Sequence, residues 1–305
     1  MNLDKNINKN IEEEINKLCI NPNKNTLVLC GGGMKGIYIL GGLKYLEEHK
    51  LLTHINTYAG TSFGGMLAFY LSIGYSIDEL YKFTKNFDFS KSNDINFDIN
   101  YLFNNYSINT DTNIDVILDK SISLKNIDPN ITLLDLYKKT KKKIILCTVC
   151  IDTKQCEYIS FETYPDLNIK TAIKMTISVP LLFPPVKYNN KLYVDGGLLN
   201  NFPINYFNNN LENVIGINLH TDFLYVKDYD NIINYILKIM SIMFIPCIRK
   251  YDEDKYKNIV YNIKIDNNVK TFDFELTSER KKEMYLEGYN LFKNEFLLRA
   301  QKFTE

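Results

Sequence analysis

The sequence has no surplus charge: 305 residues carry 36 basic and 36 acidic side chains. That balance excludes a protein whose main task is neutralising nucleic-acid phosphates, which needs a basic excess. Arginine is nearly absent, occurring only at 249, 280 and 299, so the fork that reads guanine edges is missing too. No nucleic-acid partner is expected. Histidine occurs only as His49, His54 and His220, and no second CxxC accompanies Cys147-Thr-Val-Cys150. In an apolar strand-like run these cysteines read as core, not as half of a zinc site, and no metal is expected. The first residues, MNLDKNINKNIEEEINKLC, lack the apolar core of a signal peptide. The six cysteines are therefore expected as reduced thiols in a cytosol-like compartment, the chain's own or a host cell's, with peripheral membrane contact left open. No apolar run reaches the roughly 18 residues of a membrane span. The nearest, Ile232 to Ile248, is interrupted by Asn234 and Lys238 and stopped by Pro246.

What is present is ordinary globular material, 45% apolar and 24% charged, enough for a self-standing core. Residues 1–25 read as a polar N-terminal helical extension. Thr26-LVLC is a buried strand, followed at once by helical spacing from Met34 to His49. Ile55-NTYAG is a second strand and leads into a helix from about Ser62 to Ile73. This β-α-β-α order predicts a three-layer α/β/α sandwich around a central, mostly parallel sheet. The Asn-, Asp-, Phe- and Tyr-rich stretch from Phe83 to Asn113 reads as a long loop or cap. Beyond it, helices are expected over 115–121, 132–139 and 169–177, with strands at 143–151, 157–161, 191–194 and 214–220. A long helix is expected over 277–301. The domain expectation is a catalytic unit over 26–220 and a mostly helical C-terminal extension over 221–305, packed on it.

Three glycine-marked turns stand out. Gly31-Gly32-Gly33-Met34-Lys35-Gly36 lies between a strand and a helix, where backbone N–H groups meet an anion. Its GxGxxG spacing (Gly31, Gly33, Gly36) fits a dinucleotide fingerprint, but that reading requires a carboxylate at the end of the next strand. Gly60-Thr61-Ser62-Phe63-Gly64 stands there instead. A G-x-S-x-G at a strand-to-helix turn is the setting of a nucleophile elbow, which lifts a serine hydroxyl clear of the backbone. Asp195-Gly196-Gly197, at the end of another strand, places a carboxylate where it can accept the serine proton. At an ordinary pKa near 3.9 that carboxylate is a weak base, so the chemistry requires burial. His220 ends a strand, and the order Ser62, Asp195, His220 matches that of α/β-hydrolase triads. His49 and His54 lie at the wrong end of the sheet. A histidine-dependent esterase, a nucleotide-binding protein and a non-catalytic lipid- or partner-binding descendant all stay open on these residues alone.

Together the three turns, in order and spacing, resemble the patatin-like phospholipase family, in its bacterial-type branch. The likeness extends to Thr176-ISVPLLFPP before the aspartate and Asp195-GGLLNNFPI after it. It implies a Ser62–Asp195 dyad without histidine, acting through an acyl-enzyme on lipid or phospholipid esters at a membrane or micelle surface. It also implies an oxyanion hole from Gly31, Gly32, Gly33 and Met34, and no cofactor. Lys35 departs from the arginine usual in that glycine loop, keeping its charge and losing its planar fork. Lys138-Lys139-Thr-Lys141-Lys142-Lys143 is a basic run that suits anionic head groups, although lysines at a helix C-terminus are the simpler reading.

Overall fold

The computed structural model describes residues 24–88, 99–110, 112–221, 253–265, 271 and 273–302, with isolated positions at 235, 238, 239 and 242. The helix expected over 1–25 and the apolar run at 232–248 lie almost wholly outside these residues.

Among the described residues eight strands form one sheet: β1 (Thr26–Leu29), β2 (Thr57–Thr61), β3 (Lys143–Cys150), β4 (Gln155–Ile159), β5 (Val186–Tyr188), β6 (Lys191–Asp195), β7 (Val214–Thr221) and β8 (Val260–Ile265). The order is β5-β6-β3-β2-β1-β7-β8, with β4 also on β3. From β3 to β8 neighbouring strands are parallel, while β4, β5 and β6 pair antiparallel. The helices α1 (Gly36–Glu48), α2 (Phe63–Ser72), α3 (Ile77–Asn86), α4 (Ile99–Asn105), α5 (Thr112–Ser123), α6 (Leu133–Thr140), α7 (Ile169–Ile177), α8 (Glu253–Tyr256) and α9 (Ser278–Lys302) flank it. The fold is thus the expected α/β sandwich around a mixed central sheet. No helix among the described residues is long and apolar enough to cross a membrane.

The central strands are apolar throughout because both of their faces are covered: Leu27 to Cys30 have no exposed surface. The C-terminal region supplies β8 to the sheet edge as well as a helix. There α9 crosses α1 backbone to backbone, and a Cβ on Gly41 would stand 2.2 Å from the Tyr285 carbonyl. The loop expected from Phe83 to Asn113 is corrected at three places. α3 runs on to Asn86, α4 occupies 99–105 and α5 begins at Thr112. α3 starts with a capping box, in which the Ser76 hydroxyl accepts from the Glu79 N–H and the Glu79 carboxylate accepts from the Ser76 N–H.

β3 is the strand that arranges the site. Cys147 lies opposite Thr61 of β2 on one edge and Tyr158 of β4 on the other. Its successor Thr148 lies opposite Glu157 of β4 and Asp195 of β6. Because β4 fills one edge at both positions, β2 and β6 must share the other. They run toward each other along it, and their C-terminal residues meet.

Candidate active site

Ser62 follows β2 directly and caps α2 with φ 54 and ψ −127, a conformation uncommon for a residue with a side chain. The turn is this tight because α2 folds back onto the strands. A Cβ on Gly60 would lie 2.5 Å from the Gly64 carbonyl, and one on Gly64 would lie 2.3 Å from the Cys30 carbonyl. Both glycines of the elbow are therefore fixed by backbone contact. The Ser62 N–H donates to the Thr176 hydroxyl at 3.0 Å, and that hydroxyl donates to the Cys147 carbonyl at 2.5 Å. α7 thus holds the strained residue to β3 through one side chain.

Asp195, the last residue of β6, is 1% exposed. Its N–H donates to the Ser178 carbonyl at 2.9 Å, and its Oδ1 accepts from the Gly197 N–H at 2.7 Å. Oδ2 is buried and has no partner in hydrogen-bonding geometry. Burial pushes the carboxyl pKa up to about 6, against the opposing pull of the Ser62 side chain and the Gly197 N–H. The Ser62 side chain is thus among the groups that act on the Asp195 carboxyl.

The glycine loop lies against the elbow because β1 and β2 are parallel neighbours. A Cβ on Gly31 would stand 3.2 Å from the Ser62 Cβ. Of the four expected oxyanion residues, Gly31 donates its N–H to the Asn201 carbonyl at 2.9 Å and Met34 donates to the Thr271 carbonyl at 2.9 Å. No hydrogen bond engages the Gly32 or Gly33 N–H among the described residues. Gly33 has φ +53, and a Cβ there would meet the Thr271 carbonyl at 2.2 Å. Gly36 begins α1, packed against the ring of Phe63. Burial lowers the pKa of Lys35, and it makes no ion pair among the described residues.

Two residues after the Asp195 turn stitch the motifs together. The Asn201 side chain donates to the Gly31 carbonyl at 3.1 Å, and the Asn200 carbonyl accepts from the Thr61 hydroxyl at 3.0 Å. Sequence reasoning gave Asn201, Thr61 and Thr176 no role. Thr61 does stand inside the elbow motif and Asn201 four residues after the Asp195 turn, while Thr176 opens the stretch that precedes it.

Other candidates fall elsewhere. His220 is on β7, separated from β2 by β1, and is not among the groups acting on the Asp195 carboxyl. His49, at the end of α1, stacks on Tyr45 at 4.1 Å. Cys147 and Cys150 are buried free thiols, and Cys147 interacts with Cys156 of β4. No cluster of three His, Cys, Asp or Glu suited to a metal occurs among the described residues. In the lysine run, Lys138 pairs with Asp135 and Lys143 with Glu162, while Lys139 and Lys142 donate to the Asn126 and Ile55 carbonyls. Those four are engaged in local structure.

Comparison with known proteins agrees with this geometry. A family model described as patatin-like phospholipase matches residues 27–208. "Probable lipid hydrolase 463L" of Invertebrate iridescent virus 6 is 35% identical over 184 residues, which cover 59% of this chain and 61% of that protein. The chain thus spans less than two thirds of that relative. "Uncharacterized protein R571" of Acanthamoeba polyphaga mimivirus is 27% identical over 284 residues, 89% of this chain and 93% of the relative. Among solved structures, VipD from Legionella pneumophila superposes with a TM-score of 0.61 at 17% identity, covering 91% of this chain and 67% of that one. With the family model matching more than half of the sequence and all three of its motifs gathered at one end of the sheet, the chain belongs to the patatin-like phospholipase family.

Proposed function

We propose that this protein is a lipid acyl hydrolase that cleaves phospholipid or related acyl esters with a Ser62–Asp195 dyad. The observation that carries this reading is the pairing of a lifted serine with a buried carboxylate whose pKa is pushed up to about 6. An ordinary carboxylate is too weak to take a serine proton, but one raised toward neutrality is matched to the task. In the proposed reaction the Ser62 hydroxyl oxygen attacks the acyl carbonyl carbon as Asp195 accepts its proton. The Gly32 and Gly33 N–H groups, together with the N-terminus of α2, face the negative charge that develops on the carbonyl oxygen. Collapse expels the alcohol, which takes the proton back from Asp195 and leaves the acyl group on Ser62. Asp195 then deprotonates a water that attacks the acyl-enzyme, releasing the fatty acid and restoring the serine. No step requires a cofactor.

The substrate surface is a membrane or micelle, reached from the cytosol. The reading is tested by fatty-acid release from phosphatidylcholine vesicles and by fluorophosphonate labelling. Ser62→Ala and Asp195→Asn should each abolish release, His220→Ala should retain it, and the label should reside on Ser62. Full activity in Ser62→Ala, or loss in His220→Ala with Asp195→Asn spared, would overturn the dyad.

A further inference from the structure

A cavity of about 650 Å³ among the described residues is separate from the candidate active site: Ser62 does not line it. It opens between the C-terminal half of α2, α3 and α5, with Tyr70, Tyr75, Phe83, Val116 and Leu124 in its walls. Tyr70 is eight residues along α2 from Ser62, about 12 Å at a helical rise. The volume falls within the range of small-molecule sites, roughly 300–1,000 Å³.

The wall is apolar for a specific reason. The two tyrosine hydroxyls are taken up inside the protein, Tyr70 with the Ser121 hydroxyl at 3.2 Å and Tyr75 with the Ser121 carbonyl at 2.7 Å. That leaves ring surface for the cavity. The rim carries charge of two kinds. Asp88 lies in the field of Lys281, whose ammonium donates to the neighbouring Phe87 carbonyl. Lys125 is already held over the Tyr75 ring and by Glu79. Lys120, also at the cavity, is exposed and makes no ion pair among the described residues. Meanwhile Val116 is 45% exposed and Leu124 76% exposed, a large apolar opening onto water.

An apolar chamber with Lys120, which makes no ion pair among the described residues, at its mouth fits an amphiphile with an acyl tail and an anionic head. We propose that this cavity is a second lipid site, distinct from the catalytic one, that holds the acyl chain of a fatty acid with its carboxylate against Lys120. The fatty acid is the product class of the proposed hydrolysis, so the ligand choice rests on that reading. The binding does not, and it is measured on Ser62→Ala protein, where catalysis plays no part.

Calorimetric titration of that protein with octanoate, laurate and lauryl alcohol decides the matter. Laurate should bind one to one and more tightly than octanoate, by up to about fourfold per added methylene. Lys120→Met should weaken laurate about five- to tenfold and leave lauryl alcohol unchanged. Val116→Trp, which fills the chamber from an exposed position, should weaken both. Leu124→Glu should weaken laurate alone by like-charge repulsion. Thermal melts confirm that each variant folds. Absence of laurate binding, or equal effects of Lys120→Met on acid and alcohol, would overturn the proposal. So would variants that alter association with phosphatidylglycerol vesicles but leave free laurate untouched, since the face would then be a membrane contact.

Discussion

The Thr176 hydroxyl accepts a hydrogen bond from the Ser62 N–H at 3.0 Å and donates one to the Cys147 carbonyl at 2.5 Å. One side chain of α7 thereby satisfies the backbone donor of the strained Ser62 and ties it to the strand that positions Asp195. Thr176→Val keeps the shape and removes both bonds. It should cost about 1–3 kcal/mol in denaturant unfolding, the usual penalty for a buried unsatisfied group. It should also lower kcat for vesicle hydrolysis more than it changes KM, because the attacking oxygen loses its orientation. Thr176→Ser should restore both, and an unchanged kcat in the valine variant would show that the tie is dispensable.

If Asp195 is the base of the proposed dyad, its raised pKa sets the pH dependence of activity. The base form is required, so log kcat/KM should rise with unit slope up to about pH 6 and flatten above it. A profile that falls only below pH 4 would mean that the Asp195 carboxyl keeps its ordinary pKa.

The same shift has an opposite sign for stability. A carboxyl whose folded pKa lies above its unfolded value supports the fold fully below pH 3.8, and that support is lost as pH rises through about 6. Asp195→Asn removes the loss. It should unfold later than the wild type at pH 7–8, by an amount approaching 3 kcal/mol at two pKa units, and the difference should close near pH 3.5. Equal stability at both pH values would contradict this.

Ser62 carries its φ of 54 at a cost that glycine does not incur. Ser62→Gly should therefore be inactive but more stable than the wild type by about 1 kcal/mol in chemical denaturation. Gly64→Ala should instead be less stable than the wild type. Its Cβ would sit 2.3 Å from the Cys30 carbonyl, so β1 and α2 would have to part, at a cost of about 3 kcal/mol, with activity falling alongside. Thermal melts of the two variants give the comparison directly.

Much of this was legible in the sequence because the signals are local. The β-α-β-α order, the elbow glycines and the carboxylate at the end of β6 each declare themselves within a few residues. What stayed hidden lacked such a signal or depended on distant partners. β5 has three residues, all partly or fully exposed, too short and too polar to show a period. β8, VYNIKI, is six residues whose place at the sheet edge depends on β7 lying beside it. α3 did carry a local mark, the Ser76 to Glu79 capping box, but its polar composition obscured the apolar stripe of Ile77 and Leu80. The ties made by Thr61, Thr176 and Asn201 join residues 139, 114 and 170 positions apart. No pattern along the chain encodes them, since they exist only once three strands have been brought together.

Because β2 and β6 meet end to end on one edge of β3, five residues of β3 match β2 and the next three match β6. The gap between Ser62 and Asp195 is consequently metered in peptide units of a third strand. The parts of the connection between Ser62 and Asp195 that lie outside α2, β3, α7 and β6 can therefore change in length or composition without moving either residue, so the surface they present is free to vary while the proposed pair stays in place.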